Sequence, residues 1–371
     1  MKYQRPAFME SGFPTFSSRS QVGNLPITMP KFDTPITPKE NFLRAARRDK
    51  PLWVPNLLTD VQNFEKFDLG THKPGKFQGG PNHRLASKED YPYLDAFGNS
   101  WTWVASAGGA MLTPGTKILD DITEWEKVIK WPLFDEWTYI EDAEKFMAQQ
   151  YDPEKALHVN IYQGLTEMLV AFLGGYGAGL LAMAEEPEAV AEFFDFFADD
   201  MIKFYDYMKK LYPIDIVTYH DDWGTQRATF FSPKMLEELI YEPTKKIVDH
   251  VKADGVLFQL HTCGKVDSFV PYMCQLGIDC IQIQGTAVDI PKVKELYGEK
   301  IGITMPFEGY VPGTSYTEEQ VAKIVRESVD LYAKGGGYYP WIFESDPRAL
   351  WTICAELYCH SREFYDKEQG L

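Results

Sequence analysis

The chain has 371 residues, 44% of them apolar and 15% aromatic, which excludes a disordered chain and supplies enough apolar surface for a large core. Lysine and arginine number 37 against 54 aspartates and glutamates. The resulting net charge of −17 repels nucleic-acid phosphates and anionic lipid heads, so neither nucleic acid nor a membrane surface is expected as a partner. The five cysteines (Cys263, Cys274, Cys280, Cys354 and Cys359) are odd in number and crowd the last third of the chain. That pattern argues against a disulfide framework and for a reducing, cytoplasmic home. The stretch Met1 to Pro30 lacks the apolar core of a secretion signal.

In chain order, residues 1–36 show no periodicity and read as an arm laid on a domain or partner, or as disorder. Asn41 to Arg48 spells a short helix stopped before Pro51, and Leu52-Trp53-Val54-Pro55 a first strand. Between 60 and 135, Gly70, Pro74, Gly75, Gly79, Gly80 and Pro81 break the chain repeatedly. Inside this segment Asp95-Ala96-Phe97-Gly98-Asn99 is a turn. Ser100–Val104 and Ala110–Leu112, on either side of Gly108-Gly109, read as an inserted hairpin, either a decoration or a lid over a site. Met168 to Ala184 is apolar and uncharged but short for a membrane span, and it contains Gly174, Gly175, Gly177 and Gly179; a buried helix or helix–loop is expected.

From Leu157 the pattern becomes regular. Strands are expected at Leu157–Tyr162, Ile214–Tyr219, Val256–Leu260, Cys280–Ile283, Ile301–Met305 and Tyr338–Phe343. Helices are expected between and after them: a long one from Pro187 whose inner face runs Val190, Phe193, Phe194, Phe197, Met201, Phe204, Tyr205 and Met208, one capped by Ser232 with a break near Pro243, and others at Val266–Leu276, Ile290–Tyr297, Glu318–Lys334 and from Pro347 to about Tyr365. Such alternation means an α/β fold with a parallel sheet and outer helices. Trp53 and Val104 mark two strands ahead of these six, the first of which holds Val159, and bring the count to eight. A closed (β/α)8 TIM barrel over residues 37–371, with the arm and a hairpin inserted after the first strand, is therefore the expected architecture, with an open doubly wound sheet as runner-up.

In such a barrel the working residues follow the C-terminal ends of the strands. Those exits read Gln163-Gly164, His220-Asp221-Asp222-Trp223-Gly224-Thr225-Gln226, His261-Thr262-Cys263-Gly264, Gln284-Gly285, Pro306-Phe307-Glu308-Gly309 and Glu344-Ser345-Asp346. His261 and Cys263, two residues apart, can share one zinc ion, although a buried histidine beside a structural cysteine would look the same. Asp221 and Asp222 can cap the following turn, or orient a base or substrate, one raising the other's pKa. Tyr162, Tyr219, Trp223, Phe307 and Trp341 line a pocket or simply pack.

The run Asp221-Asp222-Trp223-Gly224-Thr225-Gln226, with Ser232-Pro233, Leu260-His261-Thr262-Cys263-Gly264 and Leu276-Gly277-Ile278-Asp279, resembles the uroporphyrinogen decarboxylase superfamily. The likeness extends from about residue 40 to 365. Within the superfamily the order, with Asp95-Ala96-Phe97-Gly98 and Trp101, is similar to the corrinoid-dependent methyltransferases: methylcobalamin:coenzyme M methyltransferases and O-demethylase components. Porphyrinogen decarboxylases carry an arginine-rich segment ending in Gly-Arg-Tyr. Here Arg44, Arg47 and Arg48 precede the first strand without that pattern.

The resemblance implies zinc held by His261 and Cys263. The second cysteine that the methyltransferase branch places at the last strand is absent, and Glu344 is the substitute the residue order offers. It further implies transfer of a methyl group between a small methoxylated (aromatic) or methylated molecule and a corrinoid on a separate partner protein, since the chain lacks the Asp-x-His-x-x-Gly cobalamin-binding pattern. His220, Asp221 and Asp222 are the expected catalytic residues, and Tyr162, Trp223, Gln226 and Glu308 the expected substrate contacts. The rival expectation is a metal-independent, decarboxylase-like lyase. Methyl donor, methyl acceptor and self-association stay open.

Overall fold

The computed structural model describes residues 2–19, 26–64, 92–95, 97–104, 109–131, 140–162 and 164–371. The chain breaks expected from Gly70 to Pro81, and the positions of Ala96, Gly108 and Gln163, lie outside the described residues. The chain divides into two compact units: Met1–Asn63, Asp152–Leu157 and Asp279–Leu371 form the first, and Phe64–Tyr151 with His158–Ile278 the second.

In the second unit three parallel strands run side by side: Ala156–Ile161, Ile216–His220 and Leu257–His261. The register sets Asn160 opposite Thr218 and His220 opposite His261. Between the first two strands, helix Pro187–Leu211 buries the apolar stripe from Val190 to Met208 that the sequence spaces three and four apart. Pro187 occupies its first turn, where a missing N–H leaves nothing unpaired. Ser232 caps the next helix by accepting the Met235 N–H. The break expected at Pro243 is a π-turn, Leu236–Ile240, ahead of the helix Tyr241–Ala253. A proline has no N–H to give the carbonyl four residues back, and the wider turn absorbs that gap.

The apolar run 168–184 falls in two helices, Leu165–Phe172 and Tyr176–Glu185, bent by 106° at Gly174 and Gly175, whose φ values of 84° and 143° suit glycine. By length and composition this bent pair passes a membrane-span test, but among the described residues no single helix is long and apolar enough to cross a membrane.

The first unit holds a second parallel pair, Cys280–Gln282 and Gly302–Thr304, with helices Ile290–Tyr297, Glu318–Tyr332 and Pro347–Gln369. The N-terminal arm is ordered where it is described. It forms an antiparallel hairpin, Thr15–Arg19 with Pro26–Pro30. Ahead of the hairpin, Lys2 Nζ and the Tyr3 hydroxyl both donate to Asp366, and Trp351 Nε1 donates to the Pro6 carbonyl.

Parallel strands alternating with helices establish the α/β class, but three of the eight expected barrel strands differ. Leu52–Pro55 is not a strand. Its backbone is occupied by side chains instead: Asn41 accepts the Leu52 N–H and donates to the Trp53 carbonyl, and Ser361 Oγ accepts the Val54 N–H. The strand begins later, at Val61–Phe64. Ser100–Val104 is a strand, and it does pair with Gly109–Leu112, but antiparallel in a separate three-stranded sheet with Tyr93–Leu94. Tyr338–Phe343 is extended and contributes a single bridge, Tyr338 to Ile303. Among the described residues the count of eight barrel strands is therefore not met.

One face of the parallel strands Ala156–Ile161, Ile216–His220 and Leu257–His261 carries polar residues in two layers. In the lower layer Gln259 Nε2 donates to Thr218 Oγ1 at 2.8 Å, and Thr218 Oγ1 lies 2.6 Å from His158 Nε2. Burial pushes the His158 pKa down to about 4. Between that value and the unfolded value near 6.5, the unfolded chain binds the extra proton, so this site's contribution is full above pH ~6.5 and drains away as pH falls. His158→Gln is expected to cost less stability at about pH 5 than at about pH 7, by about 2 kcal/mol. Urea unfolding of both proteins at the two pH values measures this, and an equal cost at both would show that His158 does not fold in neutral.

Candidate metal and active site

The strands ending at His220 and His261 are neighbours in register, so the segments that follow them leave side by side. Two contacts lock them together. Trp223 N–H donates to Thr262 Oγ1 at 2.9 Å, and Cys263 N–H donates to Asp222 Oδ1 at 2.7 Å. The close approach depends on glycine. Gly264 has φ +86°, and a Cβ there would lie 2.3 Å from the Gly224 carbonyl. Lys265 N–H then donates to the Thr225 carbonyl at 2.7 Å.

This turn gathers the one group of three potential metal ligands among the described residues. The ligand atoms of Asp222, His261 and Cys263 all lie within 4.8 Å of one another. His261 Nε2 is 3.5 Å from Cys263 Sγ and 3.7 Å from Asp222 Oδ1. All three side chains are half-buried. Burial raises the Cys263 thiol pKa well above its usual value, and the Asp222 charge raises it further. A thiolate at this position needs a positive neighbour.

His220 lies within this cluster, its ring 4.5 Å from that of His261 and 4.5 Å from that of Tyr162. Its Nε2 is 3.1 Å from Asn160 Oδ1. Burial drives its pKa well below the ordinary histidine value, and the His261 and His158 charges add to that. A neutral imidazole thus stacks between a tyrosine and a histidine.

Asp221 does something different from its neighbour. Oδ1 accepts the N–H groups of Thr166 and Glu167 and the Thr166 hydroxyl, and Oδ2 accepts Trp223 Nε1 at 2.9 Å. It therefore caps the helix Leu165–Phe172 from another strand, and Gly164 allows the approach, since a Cβ there would meet Asp221 at 2.3 Å. Burial holds its carboxyl up at about 6 despite those bonds. Trp223 is fully buried, packed near Phe231 and Phe269. Gln226 is exposed on the turn after Trp223.

Glu308 and Glu344 belong to the first unit. Glu308 accepts the Tyr332 hydroxyl. Glu344 accepts the Tyr310 hydroxyl and the N–H groups of Ser345 and Asp346. Burial works against its charge, but these bonds hold its carboxyl below the usual range.

Asn160, Thr166, Thr262 and Tyr176 were not singled out in the sequence. Strand alternation could have found Asn160, which shares the face of His158. Tyr176 stacks on Phe230 at 4.6 Å, and its hydroxyl is pushed far up by burial, then by Glu167, Asp222 and Cys263, so it stays protonated.

A sequence model of the uroporphyrinogen decarboxylase (URO-D) family matches residues 94–343. No curated protein sequence matches the chain. Among solved structures, a methyltransferase from Methanosarcina mazei is similar at TM-score 0.56 and 14% identity, over 89% of this chain and 99% of that one, a likeness of fold. The catalytic domain of a GH30 xylanase C from Talaromyces cellulolyticus reaches only TM-score 0.32 at 10% identity, over 63% of this chain and 60% of that one.

Gly264→Ala is expected to force the two segments apart. The positive φ alone costs about 1–3 kcal/mol, and the overlap with Gly224 adds to it. A thermal or urea melt should show the loss, and the Ser variant should behave alike. A Gly264→Ala protein as stable as the parent would mean that the close approach is not required.

Proposed function

The chain belongs to the uroporphyrinogen decarboxylase family, and from that premise we propose that it is a methyltransferase moving a methyl group between a small methoxylated aromatic molecule and a corrinoid carried by a separate protein. The observation that carries this reading is the Asp222–His261–Cys263 cluster at two neighbouring strand exits. Its donor set fits zinc. With Zn–N near 2.0 Å and Zn–S near 2.3 Å, tetrahedral ligands stand about 3.3–3.6 Å apart. The 3.5 Å and 3.7 Å separations already approach those edges. Asp222 rather than Glu344 is the third ligand in this reading, because a carboxylate oxygen of Asp222 lies within 4.8 Å of the donor atoms of both His261 and Cys263.

Zinc bound there supplies a Lewis acid for the oxygen that carries the methyl group. The remaining work falls to the chain. Asp222 fixes Cys263 through its amide. Neutral His220, between Tyr162 and His261, offers a ring wall against which an aryl group can lie and which keeps water away from the methyl. The protonated Tyr176 hydroxyl is a donor in electrostatic reach of Asp222 and Cys263, suited to a leaving phenolate oxygen. The fold likeness to the Methanosarcina mazei methyltransferase supports the reading. The corrinoid belongs to a partner, since the sequence has no Asp-x-His-x-x-Gly pattern.

Elemental analysis of the purified protein is expected to find about one zinc per chain. His261→Ala with Cys263→Ala should lose metal and demethylation of methoxylated aromatics together, in an assay with reduced corrinoid protein. Asp222→Ala should weaken metal binding beyond the roughly 10–100-fold cost of losing a supporting partner, while Glu344→Ala retains the ion. Full demethylation by the metal-free double variant would sink the zinc assignment. No demethylation by the zinc-loaded protein, together with a decarboxylation rate that chelators leave unchanged, would favour the metal-independent lyase with Asp222 as the acid–base group.

A further inference from the structure

A cavity of about 310 Å³ in the first unit shares no residue with the metal cluster. The N-terminal hairpin, the segment from Trp53 to Asp60, the turn before strand Ala156–Ile161 and the last helix all line it. Its size suits a small organic molecule.

The cavity holds an ammonium whose partner is a ring and not an anion. Lys155 lines it with its ammonium 4.5 Å from the centre of the Phe16 ring, and among the described residues that ammonium makes no hydrogen bond and no ion pair. Burial lowers its pKa, against the pull of Asp152 and Asp60. Neither carboxylate closes on it. Asp60 is buried and saturated by other donors, Trp53 Nε1 at 2.7 Å, the Thr59 hydroxyl at 2.5 Å and Asn56 N–H at 3.3 Å. Asp152 accepts the Glu154 N–H at 3.0 Å. The opposite wall is aromatic: Phe32 stacks on Tyr358 at 4.1 Å and 18°, with Trp53 5.6 Å from Tyr358.

These features select a ligand class. A cation would find only Asp152 and Glu154 open to it, since Asp60 is occupied, with Lys31 and Lys155 against it. A doubly charged phosphate would face all three lining carboxylates with only Lys31 and Lys155 to offset them. A neutral molecule would leave Lys155 with the Phe16 ring alone, whereas a single carboxylate gives it an anion and an apolar body covers the rings. We propose that this cavity binds a small monocarboxylate with a flat apolar body, its carboxylate on Lys155 and its body against Trp53 and Tyr358.

Benzoate is the probe, titrated calorimetrically into the full chain beside benzylamine and inorganic phosphate. Saturable benzoate binding is expected, weakened at least about tenfold by Lys155→Met and kept by Lys155→Arg. His261→Ala with Cys263→Ala should leave it unchanged, which separates this site from the proposed activity. Benzoate should also raise the thermal midpoint of the unsubstituted protein, a readout that needs no variant to fold. Lack of benzoate binding, equal binding to Lys155→Met, no shift in the midpoint, or preference for phosphate or benzylamine would each overturn the proposal.

Discussion

The Cys263 amide donating to Asp222 Oδ1 at 2.7 Å is the contact on which the site depends. Two strands in register deliver His220 and His261 opposite each other, but register alone stops at the last ladder pair. Beyond it two backbone bonds, Asp221 N–H to the His261 carbonyl and Lys265 N–H to the Thr225 carbonyl, are joined by side chains, and Asp222 contributes a charged acceptor, the stronger kind of hydrogen bond. The same bond draws the thiol and the imidazole toward one carboxylate. Only a glycine at position 264 permits the approach, because its neighbour across the gap is backbone that cannot rotate away.

Around that contact the two adjacent aspartates have separate tasks. Asp221 faces inward, is fully buried and spends both oxygens on a helix N-terminus and an indole. Asp222, one residue on, points to the other side and remains half-buried beside the sulfur. The pair is thus one anchor and one chemical group. The buried histidines follow the same division. His158 sits in a lower layer, closed by Thr218 and Gln259, while His220 sits one layer up against the ring of His261. Burial keeps both from holding a proton near neutral pH, so neither adds positive charge to the site.

Much of this was legible in the residues. The long amphipathic helix from Pro187, the Ser232 cap and the His-x-Cys-Gly exit were readable because each rests on local spacing, and the structure returns them. The early strands were not. Leu52–Pro55 has strand-like composition, yet Asn41 and Ser361, far away in sequence, take its backbone groups. Ser100–Val104 does pair antiparallel with Gly109–Leu112 as the expected hairpin, but its alternation could not show that it lies in a sheet apart from the parallel one and so is not a barrel strand. The division between Asp221 and Asp222 was equally invisible, since it is set by which one meets Thr166 from another element.

The donor set itself bears on the proposed chemistry. Two thiolates and an imidazole give a bound ion much electron density, and such sites suit soft sulfur substrates. In the proposed site the Asp222 carboxylate would stand in place of one thiolate, a harder oxygen for a strong donor. An ion held by nitrogen, sulfur and oxygen is a better Lewis acid and matches a methoxyl oxygen more closely than a thiol. The neighbouring protonated Tyr176 hydroxyl and the ring column of Tyr162 and His220 point the same way, because an aryl ether needs a flat wall for its ring and a proton for its departing oxygen, while a thiol acceptor needs neither.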